Sequence, residues 1–220
     1  MPNLVFETVR TVLAVREFED RPIPDDLVRR IVEAGRLTAS SMNLQPWHFV
    51  LVTSRDGLRE LGAQISTGRY VASSAAAIVV AYERDSDYGV SDASRAIQSM
   101  ILVAWAEGVG SNWTGFGDLD GVAEQVGLPD TYEALAVVPF GYPKRKLGKG
   151  KKKRKPLAEV ASAERFGNPI CLNARTKSQV RAGRSAPAGC CRGRGKAARK
   201  CQRTSARGPL PESRRAHPAA

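Results

Sequence analysis

Ser40-Ser41-Met42-Asn43-Leu44-Gln45-Pro46-Trp47-His48-Phe49-Val50-Leu51-Val52 is the stretch on which the fold turns. Small hydroxyls and amides come first, a proline halts the backbone, and an apolar run of strand-forming residues follows. Proline fixes φ and lacks an N–H, so it punctuates the chain at this point. The run over 47–53 reads as a buried strand. The loop before it is therefore mounted at a strand's end, where Ser40, Ser41, Asn43 and Gln45 offer donors and acceptors.

Two more apolar runs lie further along, Ala75 to Tyr82 and Leu135 to Phe140, the second stopped by Gly141-Tyr142-Pro143. Helical patterns lie between and before them. Val5, Val9, Val12, Leu13 and Val15 predict a helix over 2–15. Pro22 and Pro24 break the chain, and Asp25 and Asp26 favour the positive end of a new helix carrying Leu27, Val28, Ile31 and Val32. A short helix is expected over 55–66 and another over 119–126. Residues 92–107 give the strongest pattern, apolar on more than one face, so that helix should be central and buried. Gly108 and Gly110 end it. Buried strands alternating with helices indicate an α/β or α+β sheet covered on both faces.

The formal charge of +12 on 220 residues suggests a nucleic-acid binder until it is divided. Residues 168–220 hold 13 Lys and Arg against 1 acid, a net of +12, while residues 1–167 hold 21 of each. Within that first part, residues 1–143 carry 11 basic and 19 acidic groups, and residues 144–155 carry 9 basic groups and no acid. One cationic segment thus sits on an acidic body. The expected domain is 1–167. The Arg-, Ala-, Gly- and Pro-rich tail at 168–220 is expected to be disordered, because it has too little apolar surface to offset chain entropy. It reads as translation through an unselected frame of GC-rich DNA, or as a dedicated basic arm. All four cysteines lie in it, so the body has no disulfide and no thiolate metal site. No charged-then-apolar leader and no long apolar run is present, which leads to the expectation of a cytoplasmic protein.

Candidate site residues each have a plain structural reading beside the functional one. The 40–47 loop can face a planar heterocycle such as a flavin, or be an ordinary loop held by local turn bonds. Arg16 can clamp a phosphate or serve as a surface charge. Lys152-Lys153-Arg154-Lys155 can supply cations to a phosphate or remain solvated. Gly108-Val109-Gly110-Ser111-Asn112-Trp113-Thr114-Gly115 can let backbone approach a ligand, though it matches neither a Walker loop nor a dinucleotide fingerprint. His48 and His217 are the only histidines. His48 reads as a packed core residue, and a histidine metal centre or a Ser-His-Asp triad is not expected.

In order and spacing these segments resemble the FMN-dependent nitroreductase family over about residues 3–167. The carrying motifs are Val15-Arg16-Glu17-Phe18 with Pro22-Ile23-Pro24, the 40–49 platform, Gly108 to Trp113, Phe140 to Pro143, and Arg154-Lys155-Pro156-Leu157 before Glu164-Arg165-Phe166-Gly167. The resemblance implies an α+β fold with a central mixed sheet flanked by helices, a homodimer with shared sites, FMN as cofactor, and NADH or NADPH as hydride donor. The implied acceptor is a nitroaromatic, a quinone or a similar electron-poor small molecule. No side chain is implied as catalytic, because flavin N5 carries the hydride, and no metal is implied. By motif position, Arg16, Lys152 and Arg154 would hold the phosphate. Ser40, Ser41 and Asn43 would contact FMN across the dimer. Thr114 and Gly115 would lie beside the ring, with Arg69 a further basic residue near it. Val12, Leu13 and Ala14 depart from the family pattern, which has Arg, Arg or His, and Ser there, and Arg10 stands one helical turn earlier. Two other readings follow from the same residues: a nucleic-acid binder acting through 144–155 and the tail, or a flavin-poor member of the fold that is not an enzyme.

Overall fold

The computed structural model describes residues 3–115, 117–147 and 152–170. The chain separates into two units, Met1–Pro156 and Leu157–Ala220. This division falls before the composition change that follows Gly167. The second unit's described part is the single-turn helix Leu157–Val160 and a turn closed by Asn168 N–H to Arg165 O at 3.1 Å. The rest of the tail, 171–220, lies outside the described residues.

In the first unit the elements run α1 (Leu4–Thr11), α2 (Asp25–Arg36), β1 (Trp47–Val52), α3 (Arg55–Gln64), β2 (Ala76–Glu83), α4 (Gly89–Ala106), β3 (Gly110–Ser111), α5 (Asp120–Gln125) and β4 (Tyr132–Gly141). The sheet order is β1-β2-β4-β3 and every ladder is antiparallel. The expected mixture of strand directions reduces to one parallel bridge, Ala14 to Ser111. Helices plus this sheet make the fold α+β.

β2 is one of the two inner strands, beside β4, and its residues Ala76 to Ala81 are buried on both faces. Its alternation divides the core. Ile78 and Val80 pack with Ile31, Ile97, Met100 and Phe140 from α2, α4 and β4. Ala77 and Val79 pack with Leu58, Leu61, Val122 and Val137 from α3, α5 and β4. Successive strand side chains point to opposite faces, so one strand seeds both layers. Gly35 lets α2 approach closely: a Cβ there would meet Met100 Sδ and Phe49 Cζ at 3.1 Å.

Two elements differ from the sequence expectation. α1 stops at Thr11 instead of reaching Val15, because Val12 is extended and Val15 N–H donates to Ser111 O at 2.9 Å. Pairing with β3 outweighs the apolar periodicity of 12–15. β1 is only half-buried, and His48 is exposed rather than packed in the core, edge-on to Tyr132 at 5.9 Å between ring centroids. A continuous apolar run signals burial on both faces only inside a sheet, and β1 is at its edge.

Gly110 is where Val15 crosses β3, and an added Cβ would lie 2.8 Å from Val15 Cβ. Val15 is β-branched and 4% exposed, so it has no alternative rotamer to retreat into. Gly110→Ala is expected to cost about 1–3 kcal/mol through overpacking, read as a lower urea midpoint at constant m-value. No helix among the described residues is long and apolar enough to cross a membrane.

Candidate functional site

A cleft of about 840 Å³ opens beside α1 and α4. α1 contributes Phe6, Val9 and Arg10, spaced so that they share one helical face. The extended segment after it contributes Val12, Leu13 and Ala14, α4 contributes Gln98 and Ile101, β3 contributes Ser111, and the chain leaving it contributes Asn112 and Trp113. Lys152 and Arg154 complete the wall.

Local structure fixes these pieces. Asn3 caps α1 by accepting from Phe6 N–H at 3.0 Å, and Trp105 Nε1 of α4 donates to Thr11 Oγ1 at 3.1 Å. Asn112 is buried and donates from Nδ2 to Tyr70 OH, so the turn at Arg69–Ser73 braces the cleft floor. Lys152 Nζ donates to Val9 O at 2.7 Å, satisfying one of the carbonyls that a helix end leaves unpaired. The Lys152 ammonium is pushed below its usual range, first by desolvation and then by the charges of Arg154 and Arg10 beside it. Cations therefore crowd one end of the cleft, while Ile101, Trp113, Val12 and Leu13 give it apolar walls.

The expected site residues do not all gather there. Lys152 and Arg154 do, together with Arg10. Arg16 is exposed and lines a neighbouring hollow with Ala14, Glu17 and Arg145. Thr114 and Gly115 are buried behind the cleft wall, Thr114 paired with Val137 through N–H and C=O bonds of 3.0 Å. Arg69 is exposed, beside the Tyr70 that touches Asn112.

None of residues 40–45 lines the cleft. Met42, Asn43 and Gln45 all have positive φ, at 50°, 58° and 54°. Such values are uncommon outside glycine and least unusual for asparagine. They are held by local bonds, with Ser40 Oγ accepting from Gln45 N–H at 3.0 Å and Gln45 Nε2 donating to Asn43 O at 3.2 Å. The anchor is Asp92 in the first turn of α4, fully buried, which accepts from Ser41 N–H at 2.8 Å and from Arg95. Asn43, Met42 and Leu44 face outward.

Sequence reading missed Gln98, Ile101 and Asp92. Gln98 was detectable only in part: it lies three positions before Ile101 and so on the same face, but Ser99 beside it is equally polar.

The Nitroreductase family model matches residues 10–67 and 67–142. A protein of Methanothermobacter thermautotrophicus, "Putative NADH dehydrogenase/NAD(P)H nitroreductase", is 30% identical over 152 residues, covering 66% of this chain and 80% of its own length. Among solved structures, the NADPH:FMN oxidoreductase of Vibrio harveyi complexed with NAD+ is 25% identical with a TM-score of 0.66, over 78% of this chain and 80% of that one. A Desulfovibrio desulfuricans protein crystallised with FMN is 28% identical with a TM-score of 0.64, over 76% and 99%. The chain belongs to the nitroreductase family.

Proposed function

We propose that the protein is an FMN-dependent oxidoreductase that takes hydride from NADH or NADPH and delivers it to an electron-poor acceptor such as a nitroaromatic or a quinone. The observation that carries this reading is the cleft itself, which joins a cluster of three cations to apolar walls punctuated by Gln98 and Asn112. Its volume falls in the range of small-molecule sites, about 300–1,000 Å³. The donor set fits FMN: guanidinium and ammonium groups suit a phosphate dianion, and the apolar walls suit a planar ring. The names of the relatives support the choice of FMN and of a nicotinamide donor.

Lys152 and Arg154 would bind the phosphate as charge-assisted donors. Asn112, fixed by Tyr70, would orient polar atoms of the ligand, and Trp113 and Ile101 would exclude water from the apolar end. Flavin supplies the redox chemistry when bound, and the protein supplies binding, orientation and electrostatics. That division suits a cleft whose walls carry no histidine or cysteine among the described residues.

A homodimer belongs to the same reading. Leu4, Val5 and Phe6 on α1 are 78%, 70% and 62% exposed, and Met42 and Leu44 add 75% and 53%. Apolar side chains exposed in clusters mark surfaces that bind partners. A second chain covering them would also bring Ser40, Ser41 and Asn43 to its partner's cleft. A cytoplasmic location, where both nicotinamide donors are available, accords with this chemistry.

Purified protein is expected to be yellow, to lose its flavin absorption on anaerobic addition of NADH or NADPH, and to regain it when a nitroaromatic or quinone is added. A colourless protein that also fails to bind added FMN would overturn the reading.

A further inference from the structure

We propose that Arg10 is a third ligand of the phosphate held by Lys152 and Arg154, and that Glu7 holds Arg10 in reserve until the phosphate arrives. The inference rests on the flavin reading above and concerns residues outside the motif positions that suggested it.

Val12, Leu13 and Ala14 line the same cleft as Lys152 and Arg154 and bring no side-chain donor to it. Arg10 lines it too, from the last turn of α1. Lys152 Nζ lies 2.7 Å from the carbonyl of Val9, the residue before Arg10, so the two cations are neighbours. Desolvation first, then the charge of Arg154 and last that of Arg10, hold the Lys152 ammonium below its usual range. Three like charges converging on one cleft end repel unless an anion joins them.

One anion is already present. Glu7 Oε2 accepts from Arg10 Nε at 3.0 Å and from Arg10 Nη2 at 2.6 Å, both donors landing on a single oxygen. The pair is half exposed, with side chains 46% and 42% accessible. Exposed i,i+3 pairs of this kind are weak, because water and salt screen them. A phosphate dianion carries more charge and more acceptor oxygens, so exchanging Glu7 for it is favourable for Arg10. The ligand chemistry is a phosphomonoester dianion, available from FMN or from the 2′-phosphate of NADPH. Proximity to Lys152 and Arg154 assigns Arg10 to the FMN phosphate.

Binding constants for FMN and riboflavin, measured on the apoprotein by flavin fluorescence, isolate the phosphate contribution. Arg10→Gln is expected to weaken FMN about tenfold and leave riboflavin unchanged, with Arg10→Lys recovering part of the loss. Glu7→Gln is expected to tighten FMN roughly two- to fivefold, again with riboflavin unchanged. An unaltered FMN-to-riboflavin ratio in both variants would overturn the role of Arg10 and leave the flavin reading intact. A parental protein that binds both flavins equally would remove the phosphate subsite as a whole, and one that binds neither would remove the flavin reading with it. A change in NADPH-to-NADH preference without a change in the flavin ratio would overturn the assignment to FMN.

Discussion

Replacing Lys152 and Arg154 together by alanine is expected to lower FMN affinity by roughly 10²–10⁴-fold. Each side chain would make charge-assisted contacts to a dianion, worth about 1.5–3 kcal/mol apiece, and about 1.4 kcal/mol is a factor of ten. The two act on one ligand, so the double variant will fall short of the summed single effects. Riboflavin affinity should hardly move. Lys152 has a second task, because its Nζ also closes the end of α1 on Val9 O. A urea titration of the double variant without ligand separates that contribution. Since Lys152 is partly accessible, it should be small beside the ligand effect. Equal FMN affinity in variant and parent would show that the cations do not face the phosphate.

Asp92→Ala is expected to cost about 1.5–3 kcal/mol of stability, from the hydrogen bond between its carboxylate and Ser41 N–H. For a chain of this size that corresponds to a midpoint lower by roughly 3–12 °C. The carboxylate also sits in the first turn of α4, where the helix favours negative charge. The consequence should reach beyond stability. With Ser41 released, the left-handed backbone at Met42, Asn43 and Gln45 loses its main tether to the body. Strained backbone of this kind costs about 1–3 kcal/mol per residue and persists only where its surroundings over-determine it. Amide exchange across 40–45 should therefore accelerate far more than exchange in β2. Equal acceleration across both segments would mean that Asp92 serves global stability alone.

The strands were legible because three long apolar runs have no other way to be buried, whereas the register, with its irregularity between Val80 and Ala81, was not. What the runs did not carry was position within the sheet. Phe49, Val50 and Leu51 look as core-like as Ile78, Val79 and Val80, yet an edge strand has a neighbour on one side only, and His48 is exposed as a result. The end of α1 was misread for a related reason. Val12 to Val15 keep helical spacing, but the partner that draws them into extended pairing is Ser111, nearly a hundred residues away. At the site, Lys152 and Arg154 were legible from motif order. Asp92 was not, because an aspartate at a helix start ordinarily faces water, and nothing in its neighbourhood shows that Ser41 will fold onto it.

The bond from Lys152 to Val9 spans 143 positions of sequence. Closing so long a loop costs chain entropy that a local contact does not, so contacts of this kind slow folding. α1 is held by two of them, from Trp105 to Thr11 and from Lys152 to Val9, and its docking therefore raises the contact order of a fold whose helices are otherwise built locally.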